Sequence, residues 1–321
     1  MSRNTLNSPG RGALKISERG PIVVACDAAY VMPLTTTLRS LAETNAGAAP
    51  QEVYVLSDGF PEALRKRVET SLPPGSVSIH WVKADLTEFK EFALAPHLSS
   101  MAYARFQIPY FIPQEVRRVL YLDVDILVLK DLSPLWQMDL NGAVLGAVAD
   151  SFLPIWKTRC PHPEAIPEVP EYFNSGVLLM DMERWRTERI SEKSLAYLQA
   201  NPDTPFSDQD ALNVVCDGRW KELGTEWNYQ DHFELQLAKF DAAKRPGIVH
   251  FITSDKPWKA VVAHPSAQFY DQFRKRTRFA RSFLQQFDDV LSGAWPATRA
   301  QVRRIGFLKH IRNSWKASQS S

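Results

Sequence analysis

Short apolar runs alternate with amphipathic stretches along the first third of the chain. The runs at 22–26, 52–57 and 77–82 predict strands, and the stretches at 33–45 and 61–71 between them predict helices. A strand–helix–strand–helix–strand rhythm is typical of a parallel sheet with right-handed crossovers. The pattern therefore predicts an α/β fold class, a mostly parallel sheet flanked by helices, in which ligands bind at the carboxyl ends of the strands.

The same two periodicities continue through the rest of the chain. Further strands are predicted at 144–149, 172–180 and 249–253, and further helices at 190–200 and 207–216. Residues 153–172 are rich in proline, glutamate and histidine, and this composition predicts a loop that could move over a site.

Residues 119–136 carry two aspartates inside an apolar run. Asp123 and Asp125 are two positions apart, so on a regular strand both side chains lie on one face. A strand that is apolar on both faces is buried, and an unpaired carboxylate is costly there. A cation against the pair is therefore expected, and a divalent metal is the usual one. The alternative is a strand that has already ended at a turn, with both aspartates exposed.

A second metal-ligand candidate, His250, lies in a short predicted strand and precedes Lys256 by six residues. The imidazole could reach a bound metal while the lysine presents a mobile charge to a phosphate group. Two carboxylates and one imidazole form a mixed oxygen and nitrogen set, which suits Mn²⁺ better than Mg²⁺ or Zn²⁺, with Mg²⁺ as the second choice. A single histidine can equally be a structural residue, so that alternative stays open.

Composition and charge narrow the classes of partner. Hydrophobic residues make up 45% of the 321 positions and charged residues 23%, which is ordinary for a soluble globular protein, and the net charge is +2. Residues 271–321 nevertheless hold eleven Lys and Arg against three Asp and Glu. This distribution predicts no nucleic-acid partner for the body of the protein, and it predicts an anionic partner for the tail, either a membrane surface or nucleic acid.

These compositions divide the chain into three parts. Residues 1–20 are polar, lack the apolar core of a secretion signal and are predicted to be disordered. Residues 21–270 form the predicted α/β domain, and residues 271–321 a basic helical tail. Apolar tail residues recur at spacings of three and four: Val302, Ile305, Leu308, Ile311 and Trp315. Such a helix is typical of membrane-surface binding, and packing of its apolar face on the domain is the alternative.

The cysteines and the hydropathy indicate a compartment. Cys26, Cys160 and Cys216 are far apart and show no Cys-x-x-Cys spacing, which argues against a disulfide framework and a zinc site and fits a reducing compartment. No apolar run reaches the roughly 18 residues that a membrane-spanning helix needs. The expected location is the cytoplasm, peripheral at the inner face of the membrane through the tail.

Seven short segments, in this order, resemble glycosyltransferase family 8. They are 24–27 (VACD), 103–106 (YARF), 121–125 (YLDVD), 131–136 (DLSPLW), 173–181 (FNSGVLLMD), 208–213 (DQDALN) and 250–258 (HFITSDKPW). Each is short, but their joint occurrence in one order is specific. The resemblance implies a GT-A fold, a Rossmann-like nucleotide-sugar-binding sheet, over residues 21–270, and a retaining glycosyltransferase.

The resemblance also implies roles for individual residues. Asp123, Asp125 and His250 would hold Mn²⁺ against the diphosphate of a UDP-sugar. The donor-binding residues that it implies are Asp27, Arg105, Asp123, Asp125, Asp150, Asn174, Asp208, Gln209 and Lys256. Asp208 and Gln209 are the implied catalytic residues, with Asp208 fixing the sugar hydroxyls and Gln209 lying near the anomeric carbon.

Structural alternatives and departures accompany this assignment. Asp27 could be a helix N-cap, Arg105 a structural salt bridge, and Asp150 a solvated strand end. The chain departs from the family pattern at Ala29, where a polar donor contact is common, and at Thr253, where a glycine is common in the phosphate loop.

The implied function is transfer of glucose or galactose from a UDP-sugar to a saccharide acceptor. Front-face substitution is favoured over a covalent adduct on Gln209, because an amide is a poor nucleophile. The basic tail favours lipopolysaccharide or another membrane-linked glycan as the acceptor. Two alternatives remain: a nucleotide-sugar-binding protein without transferase activity, and a glycogenin-like enzyme that glucosylates itself.

Overall fold

Two β-sheets organise the chain. The computed structural model describes residues 19–44, 49–87, 100–231, 244–259 and 264–281. Within these ranges the larger sheet has seven strands, here in spatial order: β3 (Val77–Lys83), β2 (Gln51–Ser57), β1 (Ile22–Ala25), β4 (Arg118–Leu122), β7 (Phe173–Asp181), β6 (Leu145–Ala149) and β8 (Trp220–Glu222). The smaller sheet has three: β5 (Ile126–Val128), β10 (Ile248–His250) and β9 (Tyr229–Gln230).

Helices cover both faces of the larger sheet. The α-helices of the described ranges are α1 (Val31–Thr44), α2 (Glu62–Glu69), α3 (Ile108–Phe111), α4 (Ser133–Trp136), α5 (Leu153–Arg159), α6 (Met182–Thr187), α7 (Ile190–Ala200), α8 (Asp208–Val215) and α9 (Ala267–Arg274). Short 3-10 helices lie at Ala28–Tyr30, Ser100–Gln107, Pro163–Ala165 and Thr225–Trp227. The predicted elements of the first third of the chain are all present, with small shifts at their ends.

The central strands bury both of their faces. Ile22 and Val24 of β1 belong to the core that contains α1 and α2, whereas Val23 between them belongs to the core that contains α7 and α8. A strand with a helix layer on each side needs apolar residues at every position. This is why the strand sequences are continuous apolar runs and do not alternate.

The larger sheet is mostly parallel, as predicted, but β7 runs antiparallel to both of its neighbours, β4 and β6. The other pairs in this sheet are parallel. The reversal brings the amino end of β7 to the edge where β1, β4 and β6 end. Asp27, Asp123 and Asp150 follow those three strand ends, and Asn174 lies at the beginning of β7.

The Asp123–Asp125 segment lies between the two sheets, so the prediction of one regular strand through it is wrong. Strand β4 ends at Leu122, the chain bends, and β5 begins at Ile126 in the smaller sheet. The backbone of the bend is held on both sides. Asp123 N donates to Gly176 O at 2.8 Å, and Asp125 O accepts from Phe251 N at 3.0 Å. Long-range hydrogen bonds to β7 and to the residue after β10 therefore set the direction of the two carboxylates.

The prediction of a loop over residues 153–172 is wrong for its first part. Residues 153–159 form α5, and Pro163–Ala165 form a turn of 3-10 helix. Asp150 accepts from Phe152 N at 2.8 Å and from Leu153 N at 2.9 Å, and these bonds satisfy amides at the start of α5. The helix signal was missed because the capping carboxylate, Asp150, lies three residues before the stretch whose composition indicated a loop.

The predicted boundary between residues 270 and 271 falls within α9. Residues beyond that helix still pack on the domain: Phe279 is buried, the Arg67 guanidinium lies 4.1 Å from its ring centroid, and Arg278 N donates to Ser71 Oγ at 2.9 Å. The predicted tail helix, within 282–321, and the first 18 residues of the predicted disordered segment lie outside the described residues. Among the helices that are described, none is both long and apolar enough to cross a bilayer.

Candidate active site

A cleft of about 420 Å³ lies at the edge where the strands of both sheets end. Every predicted site residue lines it, and they come from seven segments of the chain: Asp27, Arg105, Asp123, Asp125, Asp150, Asn174, Asp208, Gln209, His250 and Lys256. The carboxyl-end rule for parallel sheets accounts for this location.

Two carboxylates and an imidazole converge at the floor of the cleft. His250 Nε2 lies 3.2 Å from Asp125 Oδ1 and 3.8 Å from Asp123 Oδ2. One potential ligand atom from each of the three residues lies within 4.8 Å of the others. The strand has ended before the aspartates, as the alternative expected, but the pair is not exposed, since the side chains of Asp123 and Asp125 are only 26% and 16% exposed.

Lys256 and His250 keep Asp125 ionised. Lys256 Nζ donates to Asp125 Oδ2 at 2.7 Å, and the other oxygen of the carboxylate faces His250. Burial acts to raise the pKa of Asp125, but Lys256 and His250 together hold that pKa well below its usual range. A carboxylate that stays charged while buried is the form that a metal ion needs.

Arg105 joins the metal-ligand group to the acidic residues at the other end of the cleft. Its Nη2 donates to Asp123 Oδ1 at 3.1 Å, its Nη1 lies 3.1 Å from Asp208 Oδ2, and Nη1 also donates to Ser175 O at 2.8 Å. The guanidinium stacks over the Tyr121 ring, 4.4 Å from its centroid. Arg105 therefore makes structural ion pairs, and it makes them inside the site.

The positive charge of Arg105 only partly neutralises Asp208, because Arg105 also pairs with Asp123. Burial raises the pKa of Asp208 to about 6, although Arg105 acts to lower it, and the nearby charge of Asp123 raises it further. One cation shared by two carboxylates cannot fully compensate both. Asp208 is thus a buried acid whose charge is incompletely neutralised by its surroundings.

A strained residue places Asp208 and Gln209 in the cleft. Ser207 has φ 48° and ψ −111°, a conformation that residues with a side chain rarely adopt, and α8 begins immediately after it. Gln209 Oε1 accepts from Ser175 N at 3.0 Å, and its Nε2 donates to Asp150 Oδ2 at 3.0 Å. The amide of Gln209 is therefore held in one orientation.

Asp150 and Asn174 form a hydrogen-bonded pair beside Gln209. Asn174 Nδ2 donates to Asp150 Oδ2 at 3.1 Å, the same oxygen that accepts from Gln209. The other oxygen accepts from the two amides at the start of α5. Asp150 is therefore a bonded organiser of the cleft, and the alternative of a solvated strand end is wrong.

Asp27 caps the 3-10 helix that follows β1. Its Oδ1 accepts from Ala29 N at 2.9 Å and from Tyr30 N at 3.3 Å. The N-cap alternative is thus observed, and the same side chain also lines the cleft. Ala29 contributes a backbone amide to this cap in place of a polar side chain.

Several cleft residues were missed from the sequence. Tyr30 lines the cleft beside Asp27, and the rings of Phe152, Trp156 and Phe206 form an aromatic wall near Asp150. Asn228 is buried beside the site, with its Oδ1 3.1 Å from His250 Nδ1. The first four have no polar signature, and Asn228 belongs to a segment with no recognisable motif.

The residues at the floor of the cleft fit a divalent metal ion. The set offers two carboxylates and one imidazole, and the Nδ1 bond to Asn228 leaves Nε2 facing Asp123 and Asp125. Gly176 supplies the space, because a Cβ built on it would lie 2.2 Å from His250 Cε1 and 2.9 Å from Asp123 Oδ2.

Comparison with known proteins gives a consistent picture. The sequence profile of Glycosyl transferase family 8 matches residues 21–261. General stress protein A of Bacillus subtilis is 29% identical over 272 residues, 80% of this chain and 94% of that protein. Lipopolysaccharide 1,2-glucosyltransferase of Escherichia coli is 24% identical over 268 residues, 80% of this chain and 78% of the relative.

A solved structure also matches. The galactosyltransferase LgtC, crystallised in complex with donor and acceptor sugar analogs, superposes with a TM-score of 0.69 at 26% sequence identity. The match covers 80% of this chain and 96% of LgtC.

Substitution of Gly176 by alanine is expected to weaken Mn²⁺ binding by on the order of 10-fold or more, because the added methyl group displaces the His250 ring. Titration of Mn²⁺ followed by electron paramagnetic resonance of the free ion measures this. Gly146→Ala is the matched control, since its methyl group meets Leu223 and Leu140 and leaves the metal ligands in place. Wild-type Mn²⁺ affinity in Gly176→Ala would contradict the prediction.

The raised pKa of Asp208 predicts a pH-dependent stability. The native state binds this proton more tightly than the unfolded state, whose carboxyl has the ordinary value of 3.8. From pH 4 to pH 7 the wild type should therefore lose about 2 kcal/mol of unfolding free energy relative to Asp208→Asn. Urea unfolding in metal-free buffer at both pH values measures the difference. Exposed Asp139 provides a control variant, Asp139→Asn, and parallel pH profiles for wild type and Asp208→Asn would disprove the prediction.

Proposed function

The chain belongs to glycosyltransferase family 8 and has the GT-A fold, and on this basis we propose that it transfers a hexose, glucose or galactose, from a UDP-sugar to a saccharide acceptor with retention of the anomeric configuration. The observation that carries the proposal is the convergence of two groups in one cleft. A metal-ligand group with an adjacent lysine lies at one end, and a cluster of amides and carboxylates that can bind hydroxyls lies at the other.

The diphosphate of the donor belongs at the metal end. Asp123, Asp125 and His250 would hold Mn²⁺, which acts as a Lewis acid and stabilises the negative charge of the leaving group. Lys256, 2.7 Å from Asp125, adds a second positive charge at the same place. Mg²⁺ is the other ion that this donor set accommodates.

The nucleoside belongs beside β1. Asp27 ends that strand and lines the cleft, and a carboxylate can accept a hydrogen bond from the N–H of a uracil ring. The Tyr30 ring lies next to it in the cleft and offers a flat apolar surface to a base. The two side chains together support a uridine nucleotide.

The sugar of the donor belongs between Arg105 and Gln209. Asp208 and Asp150 line this part of the cleft with carboxylate acceptors and Asn174 with an amide, and Asp208 and Asn174 are buried, which strengthens hydrogen bonds made there. Glucose and galactose differ in the orientation of one hydroxyl, so the bonds of this cluster are the source of selectivity between them.

Retention is proposed to occur by front-face substitution. Gln209 Oε1 already accepts from Ser175 N at 3.0 Å and from Ser175 Oγ at 3.3 Å, which reduces the electron density that an amide oxygen could offer to the anomeric carbon. In the proposed step the bond from the anomeric carbon to the phosphate oxygen breaks with its electron pair on the phosphate. The acceptor oxygen forms the new bond on the same face, and its proton moves to the departing phosphate oxygen.

The acceptor is proposed to be lipopolysaccharide or another membrane-linked glycan. The aromatic wall of Phe152, Trp156 and Phe206 next to Asp150 offers faces on which a sugar ring can stack. A relative named lipopolysaccharide 1,2-glucosyltransferase and the basic composition of residues 271–321 support a membrane-linked substrate. The protein is accordingly proposed to work in the cytoplasm at the inner face of the membrane.

The donor assignment predicts metal-dependent hydrolysis of one UDP-sugar. Purified protein is incubated with Mn²⁺ and a panel of UDP-sugars, and UDP release is measured. UDP release from one donor should fall on the order of 100-fold or more in Asp125→Asn, which loses a metal ligand. Asp139→Asn, a substitution at an exposed residue, is the control and should release UDP at the wild-type rate. Donor turnover that survives Asp125→Asn would contradict the metal assignment.

Two other results of the same assay support the alternatives. UDP binding that needs Mn²⁺, without release from any donor even when saccharide acceptors are added, would favour a nucleotide-sugar-binding protein. A mass gain of the protein in steps of one hexose, without added acceptor, would favour self-glucosylation.

The tail assignment predicts that deletion of residues 298–321 abolishes binding to anionic vesicles and leaves UDP-sugar hydrolysis unchanged, because the tail supplies basic and apolar contacts to lipid. Co-sedimentation with vesicles that contain phosphatidylglycerol measures binding, and neutral vesicles are the control. Vesicle binding that survives the deletion would contradict the assignment of the tail as the membrane-binding segment.

A further inference from the structure

Two buried asparagines connect His250 to the opposite end of the cleft. His250 Nδ1 lies 3.1 Å from Asn228 Oδ1, and Asn228 Nδ2 donates to Asn174 Oδ1 at 2.9 Å. Asn174 Nδ2 in turn donates to Asp150 Oδ2 at 3.1 Å. Asn228 is 1% exposed, Asn174 6% and His250 4%, so water does not compete for these bonds.

Groups that can act in only one way determine the orientation of both amides. The backbone N–H of Gly176 can only donate, and it donates to Asn174 Oδ1 at 3.0 Å. The carboxylate of Asp150 has N–H donors on both of its oxygens, and its Oδ2 accepts from the Nδ2 of Asn174. Asn174 therefore presents its oxygen to Asn228. The NH₂ group of Asn228 donates to that oxygen, so the Oδ1 of Asn228 faces His250.

We propose that Asn228 is a positioning residue that holds His250 in the tautomer protonated at Nδ1, and that Asn174 sets the direction of the Asn228 amide. The proposal rests on the proposed metal-dependent function, since this tautomer leaves the lone pair of Nε2 facing Asp123 and Asp125. Asn228 lies outside the seven short segments on which the resemblance to the family was first based.

The choice of an amide as the partner has a physical consequence. A carboxylate or a backbone carbonyl beneath a metal-bound histidine accepts in any orientation, whereas an amide must be held with its oxygen forward. A reversed Asn228 would place its NH₂ group against Nδ1 and its oxygen against Asn174 Oδ1, leaving two acceptors facing each other in a buried place. The second asparagine is what excludes this reversal.

The tautomer can be measured in the metal-free protein. Histidine labelled with ¹⁵N distinguishes the protonated ring nitrogen from the unprotonated one in a long-range ¹H–¹⁵N correlation spectrum, and His250→Gln identifies the signals of His250. The spectrum is recorded at a pH high enough for the imidazole to be neutral. The wild type should show His250 protonated at Nδ1. Protonation at Nε2, or a mixture of both tautomers, would overturn the proposal.

Variants separate orientation from general stability. Asn228→Leu should remove the preference between tautomers and weaken Mn²⁺ binding by roughly 10-fold to 100-fold. Asn213→Leu is the matched control: Asn213 is a buried asparagine that bonds Phe173 and Gln209, so its loss should lower the melting temperature without changing the His250 tautomer. Equal tautomer preference and Mn²⁺ affinity in wild type and Asn228→Leu would also overturn the proposal.

A double substitution tests the role of Asn174. Asn174→Leu alone should give a mixture of tautomers, because the Asn228 amide can then reverse. In the Asn228→Asp background the same change should leave the Nδ1-protonated tautomer intact, since a carboxylate accepts in either orientation. A mixture in both backgrounds would mean that Asn174 acts by packing and would reject its orienting role.

The measurement of the tautomer and the measurements of Mn²⁺ binding and donor turnover test the two proposals independently. An Nδ1-protonated His250 in a protein that binds no Mn²⁺ would remove the metal-dependent function and leave the assignment of Asn228 standing. Mn²⁺ binding and donor turnover with the other tautomer would remove the assignment of Asn228 and leave the function standing.

Discussion

The structure depends on how the cleft compensates one buried and two partly buried carboxylates with two basic side chains, Arg105 and Lys256. Asp123 and Asp208 share Arg105, and Asp125 pairs with Lys256. A buried ion pair is stabilising only when its geometry satisfies the remaining lone pairs and protons. Backbone carbonyls, Tyr121 and Ser175 complete that geometry here. The cleft therefore holds concentrated negative charge at a place where a metal ion can take part in the compensation.

The second constraint is the transition between the two sheets. The chain leaves the larger sheet after β4 and enters the smaller sheet at β5, and the bend between them carries Asp123 and Asp125. Thr37 of α1 supports this bend from inside the core, with its hydroxyl 2.8 Å from the carbonyl oxygens of Val124 and Ile126. The smaller sheet brings His250 to the same place, and Gly176 of β7 leaves the room that its ring needs. The arrangement of the two sheets thus brings the three metal-ligand candidates together, and their side chains supply the ligand atoms.

The metal-ligand candidates and the group around Asp150 and Gln209 belong to one polar network. Gln209 and Asn174 meet at Asp150, and Asn174 continues through Asn228 to His250. Buried networks of this kind keep each member in one orientation when every donor and acceptor is satisfied. The same arrangement explains why few of these residues can be replaced independently. A change at one end alters what the other end can bond.

The sequence by itself determined the α/β class, the order of the first strands and helices, and the position of Asp27, Asp123 and Asp150 at strand ends. Those features depend on apolar runs and periodicities that are local in the chain, and the motif resemblance identified the cleft residues one by one. Only the tertiary structure decided the reversal of β7, the bend at Asp123, the helix after Asp150 and the sharing of Arg105 between two carboxylates. Asn228 also belongs to this second group. Each of these features depends on contacts between residues far apart in the sequence. The local sequence pattern does not show which distant group will satisfy a buried donor or charge.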